Sequence, residues 1–583
     1  MRRTRFAEMN RMKIRCAAFA AAIFALSVVS ASAQGPYRFP MDVPPLLSAN
    51  FAEMRTNHFH SGIDIKTGGS VGHDIYSVAD GYISRISIAP SGYGRALYIA
   101  HPDGTTSVYG HLQSFMPEVE KYLKQQRYKQ RKNNITLFFT PEQFPVKKGE
   151  KVALSGNSGY SFGPHLHFEI RRTSDARTLN TLSRGFVSVR DGIAPRIAAL
   201  YYVHVDTVAG VPVHAAPRKI GLTSCGNDYS AGSAVEVYGS GYFVIETTDR
   251  KNDVANTFGV YRVTQSVDGM PTVVFEKDEF LFSNTRYCNA SVDYASQRGS
   301  RNEHIMLAMK QNNLNPMYKH VVNRGVVEAA EGRRRKVDIT VEDDCGNTAT
   351  LGFEIVGTAA QPAPERAGGR RAFCDSKFTH AADGAFVTIP AGALYEPMFY
   401  NQKTVSPVLA QRTDGVEPLS KIYSLGRRDI PLHKPFSAAV AVDVPEKLRP
   451  RACLASVSES GKLSYAGGRY KDGKVEGSLS SFGVYLVVVD TVAPVIKPSF
   501  ADGEVLSGRS GVSFAMSDNF SGVASFECEV DGQWAILEQN VVRGTAALVF
   551  DRERMHAGRE HSLRFTAVDG AGNKTVVTRR FVY

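Results

Sequence analysis

The sequence is poor in cysteine, with seven in 583 residues. Their spacing matches no metal-binding motif, so a cysteine-ligated metal centre is not expected. One cysteine lies in the N-terminal segment. The others, which we interpret as structural and of which some could pair in an oxidising compartment, are Cys225, Cys288, Cys345, Cys374, Cys453 and Cys528.

Long apolar runs and strong charge are also missing. No stretch after the N-terminal segment reaches the roughly 18 to 20 apolar residues that a membrane span needs, so we predict no transmembrane span in the mature chain. The formal net charge of +12 is mild for this length, and the concentrated basic and aromatic pattern of nucleic-acid binding is lacking. We therefore expect no nucleic-acid partner.

The N-terminal segment has the anatomy of a secretory signal peptide. Several arginines and Lys13 form a basic head, an apolar run follows from Ala17 to Val29, and small residues end the segment at Ala33. This order predicts a signal peptide over residues 1–33, removed on export. The expected location is the periplasm or the cell envelope, with secretion as the alternative.

Three short segments contain the residues most typical of a metal site: NHFHSGIDI at 57–65, TTSVYGHL at 105–112 and GPHLHFEI at 163–170. On a strand, side chains alternate between faces, so His165 and His167 project to one side, as do His60 and Asp64. Imidazole and carboxylate are ligands that zinc accepts, and a catalytic site keeps a fourth position open. We predict one zinc ion here, with His58 as a neighbour outside the site.

The ordered set H-x-x-x-D, Y-x-H-L and G-P-H-L-H-F-E resembles the lysostaphin/LytM-type zinc endopeptidases, over roughly residues 50 to 172. The resemblance implies that His60, Asp64 and His167 bind zinc. It also implies that His111 and His165 act on the substrate and water, without deciding which is the general base.

The same resemblance implies an exported zinc metalloendopeptidase that hydrolyses the peptide stems or bridges of peptidoglycan. Zinc lowers the pKa of bound water to about 7, which makes a nucleophile available near neutrality. The alternative is a catalytically silent scaffold that activates or localises another cell-wall hydrolase. Family members of that kind have usually lost ligands, whereas this chain keeps them all. An adhesin-like surface protein is a third hypothesis.

The length is typical of about four domains. Short alternating strands and Gly-containing turns predict an antiparallel β-sheet peptidase domain over residues 34–190. Within it, residues 117–145 form a basic insert with a predicted helix from Val119 to about Lys132. We expect the insert to hang over one wall of the substrate groove, where it either gates access or is a solvated excursion.

The remaining residues contain an internal repeat. The sequence DGIAPRI at 191–197 recurs as DTVAPVI at 490–496, and DDCGN at 343–347 recurs as DGAGN at 569–573. These matches predict duplicated β-sandwiches at 191–357 and 490–583 that resemble bacterial immunoglobulin-like modules.

Between the two copies we predict a linker at 358–371 and a further β-sandwich at 372–489, faintly similar to the domain shared by netrin receptors and ankyrins. The predicted fold class is therefore predominantly all-β, with a peptidase domain followed by about three β-sandwich domains. We expect these domains to position the enzyme or to bind other cell-envelope proteins.

Overall fold

A computed structural model describes residues 37–359, 368–409 and 413–583. The predicted signal peptide lies outside these ranges, as does most of the predicted linker. Strands make up 49% of the structure and helices 7%, so the predominantly all-β prediction is confirmed. Across the described ranges, every helix is too short or too polar to cross a membrane.

The N-terminal sheet contains the three histidine segments. Seven of its ten strands are β1 (Leu47–Ala49), β2 (Ile63–Lys66), β3 (Gly81–Ile88), β4 (Arg95–Ala100), β5 (Thr105–Gly110), β6 (Ile135–Phe138) and β7 (His165–Arg172), and the short strands Pro145–Val146, Thr178–Leu179 and Glu279–Phe280 pair alongside them. The seven numbered strands lie in the order β1-β2-β7-β5-β4-β3-β6, and all of these neighbours are antiparallel. Strand β7 therefore lies between β2, which contains Asp64, and β5, which ends one residue before His111.

Alternation along β7 separates an apolar face from a polar one. Leu166, Phe168 and Ile170 are fully buried in the core under the sheet. The opposite face has His165, His167, Glu169 and Arg171 in a row, because side chains two residues apart share a side. The row begins at the predicted site with His165 and His167 and continues with Glu169 and Arg171, which are buried.

The predicted helix of the insert is present as α1, Pro117–Gln130. Proline at the first helical position and two glutamates in the first turn favour its start, and basic residues in the last turn suit its end. The helix stops before the predicted Lys132 because Arg131 has left-handed dihedral angles, with φ and ψ both 50°. Shorter helical turns lie at Phe282–Ala290, Tyr294–Gln297, Asn323–Gly325 and Glu446–Arg451.

The rest of the chain forms further pairs of sheets, each pair around an apolar core. In the first pair, one sheet comprises Arg196–Val208, Val211–His214, Arg218–Ile220, Ser240–Thr248, Glu303–Met306 and Val327–Glu328. The sheet that faces it comprises Leu222–Cys225, Asp228–Ala231, Val235–Tyr238, Arg262–Val267, Met270–Glu276, Tyr318–Val321, Arg334–Glu342 and Thr348–Thr358. In the second pair, one sheet comprises Phe378–Ala382, Ala385–Ile389, Phe436–Ala441, Arg469–Lys471 and Lys474–Leu479. The sheet that faces it comprises Gln402–Val405, Val416–Pro418, Ile422–Leu425, Ala452–Val457, Leu463–Tyr465 and Gly483–Asp490.

We call residues 495–582 the terminal region. Its sheets comprise Val495–Pro498, Gly511–Ser517, Leu537–Asn540 and Thr545–Val549, facing Glu504–Val505, Val523–Val530, Gln533–Trp534, Glu560–Asp569 and Lys574–Val582. All of this lies in one compact unit with the N-terminal sheet, Phe39–Tyr583.

The six described cysteines are free thiols. Four of them are buried in separate apolar cores, which keeps them apart: Cys288, Cys374, Cys453 and Cys528. The pairing that the sequence allowed therefore does not occur in the described residues.

Candidate metal centre

Three of the predicted site residues bring one donor atom each to a common point. Nε2 of His60 lies 3.0 Å from both Oδ1 of Asp64 and Nδ1 of His167, and the last two atoms are 2.9 Å apart. All three side chains are buried. The donors on a tetrahedral zinc, at about 2.0–2.2 Å from the metal, lie about 3.3 Å from one another, so small movements would admit the ion.

The sheet register explains the convergence. Asp64 on β2 lies directly opposite His167 on β7, and on the other side of β7 the partner of His167 is Gly110, the last residue of β5. A Cβ atom at Gly110 would lie 3.3 Å from Cβ of His167 and from the ring of Tyr93. Glycine at this position therefore leaves room for the His167 side chain.

The outer nitrogen of His60 is held by a backbone group. Nδ1 donates a hydrogen bond to the carbonyl oxygen of Asn50 over 2.8 Å. Because a carbonyl only accepts, the ring proton is on Nδ1, and the lone pair of Nε2 faces the other donors. The side chain of Asn50 is fixed in turn by Gly259 and by the Asp344 carboxylate, at 2.8 Å each.

His167 is held in the opposite tautomer. Its Nε2 donates to Oε1 of Glu169 over 2.8 Å, which leaves the lone pair of Nδ1 for a metal. Glu169 is fully buried and also accepts hydrogen bonds from Ser61, Tyr93 and Arg171, at 2.5–2.7 Å. These hydrogen bonds to Glu169 fix the orientation of the His167 ring on β7.

The three candidate ligands differ in the direction in which the protein shifts their pKa values. Burial lowers the pKa of His60 to about 4, although Asp64 opposes the shift. Burial alone would also lower the pKa of His167, but the hydrogen bonds and charges of Asp64 and Glu169 outweigh it and raise that pKa to about 9. For Asp64, burial is likewise outweighed, because His60 and His167 hold its pKa well below the usual range.

The two other predicted residues flank the donor set. The rings of His111 and His165 are 4.7 Å apart between centroids, and Nε2 of His165 lies 3.6 Å from Oδ1 of Asp64. Their Nδ1 atoms donate to the carbonyl oxygens of Ser158 and Gly163, at 2.8 Å each, so the Nε2 lone pairs are free. His111 has a φ of 59°, an uncommon conformation for a non-glycine residue at the end of a strand.

The structure thus brings together all five predicted residues. His58 is exposed, and among the described residues its ring bonds only to the Thr56 carbonyl, as expected of a neighbour outside the site. The sequence analysis missed the supporting residues Asn50, Glu169 and Tyr93. Alternation along β7 could have indicated Glu169, which is two residues from His167, but Tyr93 and Asn50 lie in segments without a recognisable pattern.

The insert helix makes contacts that the sequence did not predict. Arg127 is buried; it forms an ion pair with Glu538 and donates to the carbonyl oxygen of Leu537 over 3.0 Å. Lys124 pairs with Asp551 at 2.8 Å. The insert is therefore docked on the terminal region, and the alternative of a purely solvated excursion is wrong for the helix.

A cavity of about 510 Å³ lies beside this docking site. It is lined on one side by residues 156–159, whose Ser158 carbonyl holds His111, and on the other by strand Leu537–Asn540 of the terminal region. The terminal region thus faces the loop that positions a predicted catalytic histidine.

Comparison with known families matches part of this site. Residues 58–130, which include His60, Asp64 and His111 but not His165 or His167, match Peptidase family M23. Family M23 peptidases are zinc-dependent and act on peptidoglycan. Residues 371–490 match a Zu5-like domain, which coincides with the β-sandwich predicted at 372–489.

Two curated relatives differ in what their names describe. An uncharacterized metalloprotease of Haemophilus influenzae is 28% identical over 26% of this chain and 27% of its own length. The murein hydrolase activator NlpD of Escherichia coli is 35% identical over 19% of this chain and 23% of its own length. The chain therefore spans about a quarter of each relative.

Among solved structures, a zinc-containing peptidase from Vibrio cholerae is 24% identical, with a TM-score of 0.20 over 27% of this chain and 41% of that one.

Proposed function

We propose that this protein is an exported zinc metalloendopeptidase that hydrolyses peptide crosslinks of peptidoglycan. The observation that carries the proposal is the convergence of His60, Asp64 and His167, with the outer nitrogen of each ring held by an acceptor. Two imidazoles and a carboxylate suit one zinc ion and leave a fourth position for water or substrate.

When bound, zinc would supply a Lewis acid that polarises the scissile carbonyl and lowers the pKa of water. The flanking histidines would handle the protons. Burial, reinforced by the neighbouring His165 and His167 rings, lowers the pKa of His111 to about 3, so this ring is neutral at physiological pH. With Nε2 free on both His111 and His165, one ring can take a proton from the attacking water while the other stabilises the oxyanion or protonates the leaving amine.

The loop before His165 offers a surface for the substrate. Tyr160 and Phe162 are largely exposed, with side chains edge to face at 5.2 Å between centroids, and Ser161 between them is 3.3 Å from Nδ1 of His165. Exposed aromatic side chains beside a catalytic group suit contact with a peptide strand. We assign them to substrate binding as part of the proposal.

Export to the periplasm or cell envelope is part of the same proposal, and the basic and apolar N-terminal segment supports it. The β-rich regions after the peptidase domain would position the enzyme or bind other envelope proteins. The second candidate is a silent scaffold that activates a separate hydrolase, and the similarity to NlpD favours it. The complete donor set favours the enzyme.

An assay on purified sacculi separates the two. The zinc-loaded protein is incubated with sacculi alone, and with sacculi plus a separate cell-wall hydrolase, and soluble muropeptides and new amino groups are quantified by mass spectrometry. The enzyme proposal expects crosslinks to open with the protein alone. If the protein alone releases no amines but stimulates the added hydrolase, the scaffold function replaces it.

A further inference from the structure

Each copy of the internal repeat gathers three aspartates around one point. In the first copy these are Asp191, Asp249 and Asp343, and in the second Asp490, Asp518 and Asp569. In both sets, one carboxylate oxygen per residue lies within 4.8 Å of the others. The clusters lie outside the zinc centre and have no part in the proposed reaction.

Strand register shows that the two clusters are equivalent. In the first copy Arg196 pairs with Thr248, the residue before Asp249, and in the second Val495 pairs with Ser517, the residue before Asp518. Arg196 and Val495 each lie five residues after the first aspartate of their cluster.

The third aspartates are also held alike. Both carboxylate oxygens of Asp343 accept hydrogen bonds from Asn347, and both oxygens of Asp569 accept from Asn573, at 2.7–2.9 Å. The duplicated DxxGN motif therefore fixes the position of this carboxylate in each copy.

The copies differ in what neutralises the charge. In the first, the buried ammonium of Lys251 lies 3.0 Å from Asp191 and 3.5 Å from Asp249. Lys251 comes two residues after Asp249, and the residue two after Asp518 is Phe520. Within the described residues, no cationic side chain forms an ion pair with the second cluster.

Both clusters contain buried oxygens without a hydrogen-bond donor among the described residues. In the first cluster these are the two oxygens of Asp249, which has the Lys251 ammonium 3.5 Å away. Asp490 is fully buried, and its Oδ2 accepts no hydrogen bond from any described residue. Oδ1 of Asp518 is likewise buried without a donor among the residues described. A buried carboxylate is costly unless a charge or a metal pairs with it, and no cationic side chain among the described residues pairs with Asp490 or Asp518.

We propose that Asp490, Asp518 and Asp569 form a calcium site, in which Ca²⁺ takes the place that Lys251 fills in the first copy. An all-oxygen donor set selects a hard cation over zinc. Oxygens on opposite sides of Ca²⁺, at about 2.4 Å each, lie about 4.8 Å apart, so three oxygens that all lie within 4.8 Å of one another can share one ion.

The site lies at a junction. Asp490 ends strand Gly483–Asp490 of the Zu5-like region, whereas Asp518 and Asp569 belong to the terminal region. A calcium ion would therefore join the two regions, beside the existing hydrogen bond from the Tyr465 hydroxyl to the Gly570 carbonyl, at 2.8 Å. Calcium would thereby stabilise the placement of the region on which helix α1 docks.

The test is calorimetric titration of CaCl₂ into the full-length, zinc-loaded protein, together with thermal unfolding at 0 and 1 mM CaCl₂. The variants are Asp518→Asn, which removes the charge of one ligand, and Phe520→Lys, which introduces an ammonium at the position equivalent to Lys251. Asp502→Asn is the matched control, since Asp502 is an exposed aspartate of the same region away from the cluster.

We expect saturable binding of one calcium ion and a rise in unfolding temperature for the unmutated protein and for Asp502→Asn. Affinity should fall at least about tenfold in Asp518→Asn, because one ligand charge is lost. Phe520→Lys should unfold at a higher temperature than the unmutated protein without calcium and no longer respond to it. No calcium binding by the unmutated protein, or equal binding by folded Asp518→Asn or Phe520→Lys, would overturn the proposal.

Discussion

The carbonyl oxygen of Asn50 accepts the Nδ1 hydrogen of His60 over 2.8 Å, while the side chain of Asn50 donates to the Asp344 carboxylate more than 290 residues later. One residue thus connects a candidate zinc ligand to the sheet pair that follows the peptidase domain. The orientation of His60 consequently depends on a region outside that domain.

Replacing Asn50 with Ala should weaken zinc binding without removing a ligand. The side-chain bonds to Gly259 and Asp344 are lost, so the carbonyl that orients His60 is no longer fixed. Loss of such outer partners typically costs 10- to roughly 100-fold in metal affinity. Competition with a zinc chelator measures the change, and Asn401→Ala, at an exposed asparagine far along the chain, should bind zinc like the unmutated protein. An unchanged affinity in folded Asn50→Ala would contradict this role.

Replacing Glu169 with Gln tests the charge behind His167. The substitution keeps the shape and an acceptor but removes the negative charge that helps to raise the pKa of His167 to about 9. In the metal-free protein, NMR titration should show this pKa lowered, and zinc should bind more weakly. Glu142→Gln, at an exposed insert residue, serves as control. A His167 pKa that does not move would mean that Asp64 alone sets it.

Zinc binding at pH 7 should release about one proton, because a metal displaces the proton of a ligand that is protonated beforehand. His60 is already neutral, since its pKa is lowered to about 4, whereas His167 is protonated below its raised pKa of about 9. Zinc affinity should therefore increase as the pH rises from 7 to 9. Calorimetry in buffers of different ionisation enthalpy counts the protons, and release of two or none would contradict the assigned states.

Removing the Arg127 side chain should loosen the contact between helix α1 and the terminal region. The buried guanidinium pairs with Glu538 and donates to Leu537, and the loss of a buried charged hydrogen bond costs about 1–3 kcal/mol. Hydrogen exchange should become faster in α1 and in strand Leu537–Asn540 of Arg127→Ala. Lys129→Ala, at an exposed position on the same helix, should exchange as the unmutated protein does. Unchanged exchange would show that other contacts suffice for docking.

Local patterns predicted the candidate site well. Two-residue alternation placed His165 and His167 on one face of β7, because side-chain direction within one strand is encoded directly in the sequence. His60 reaches the same donor set as Asp64, but it lies before strand β2 and not on it, so the predicted alternation does not explain their meeting. The insert helix was predictable from its composition, which is rich in Lys, Arg and Gln.

The parts that sequence patterns did not predict depend on contacts between distant segments. Asn50 belongs to no motif, because its role depends on Asp344, and the burial of Arg127 depends on its contact with Leu537. The predicted domain boundaries and the immunoglobulin-like identity of the repeats stay predictions. The repeat motif did reveal equivalent aspartates, but only strand register and the position of Lys251 distinguish the two clusters.

The most direct test of the central claim is to measure bound zinc and sacculus hydrolysis in the same preparations of the unmutated protein, His60→Ala and His165→Ala. His60→Ala should lose both the metal and the activity, because a ligand is gone. His165→Ala should keep about one zinc per chain and lose activity, because only a proton-handling group is missing. If His60→Ala retained full zinc and full hydrolysis, the assignment of this cluster as the catalytic metal centre would be wrong.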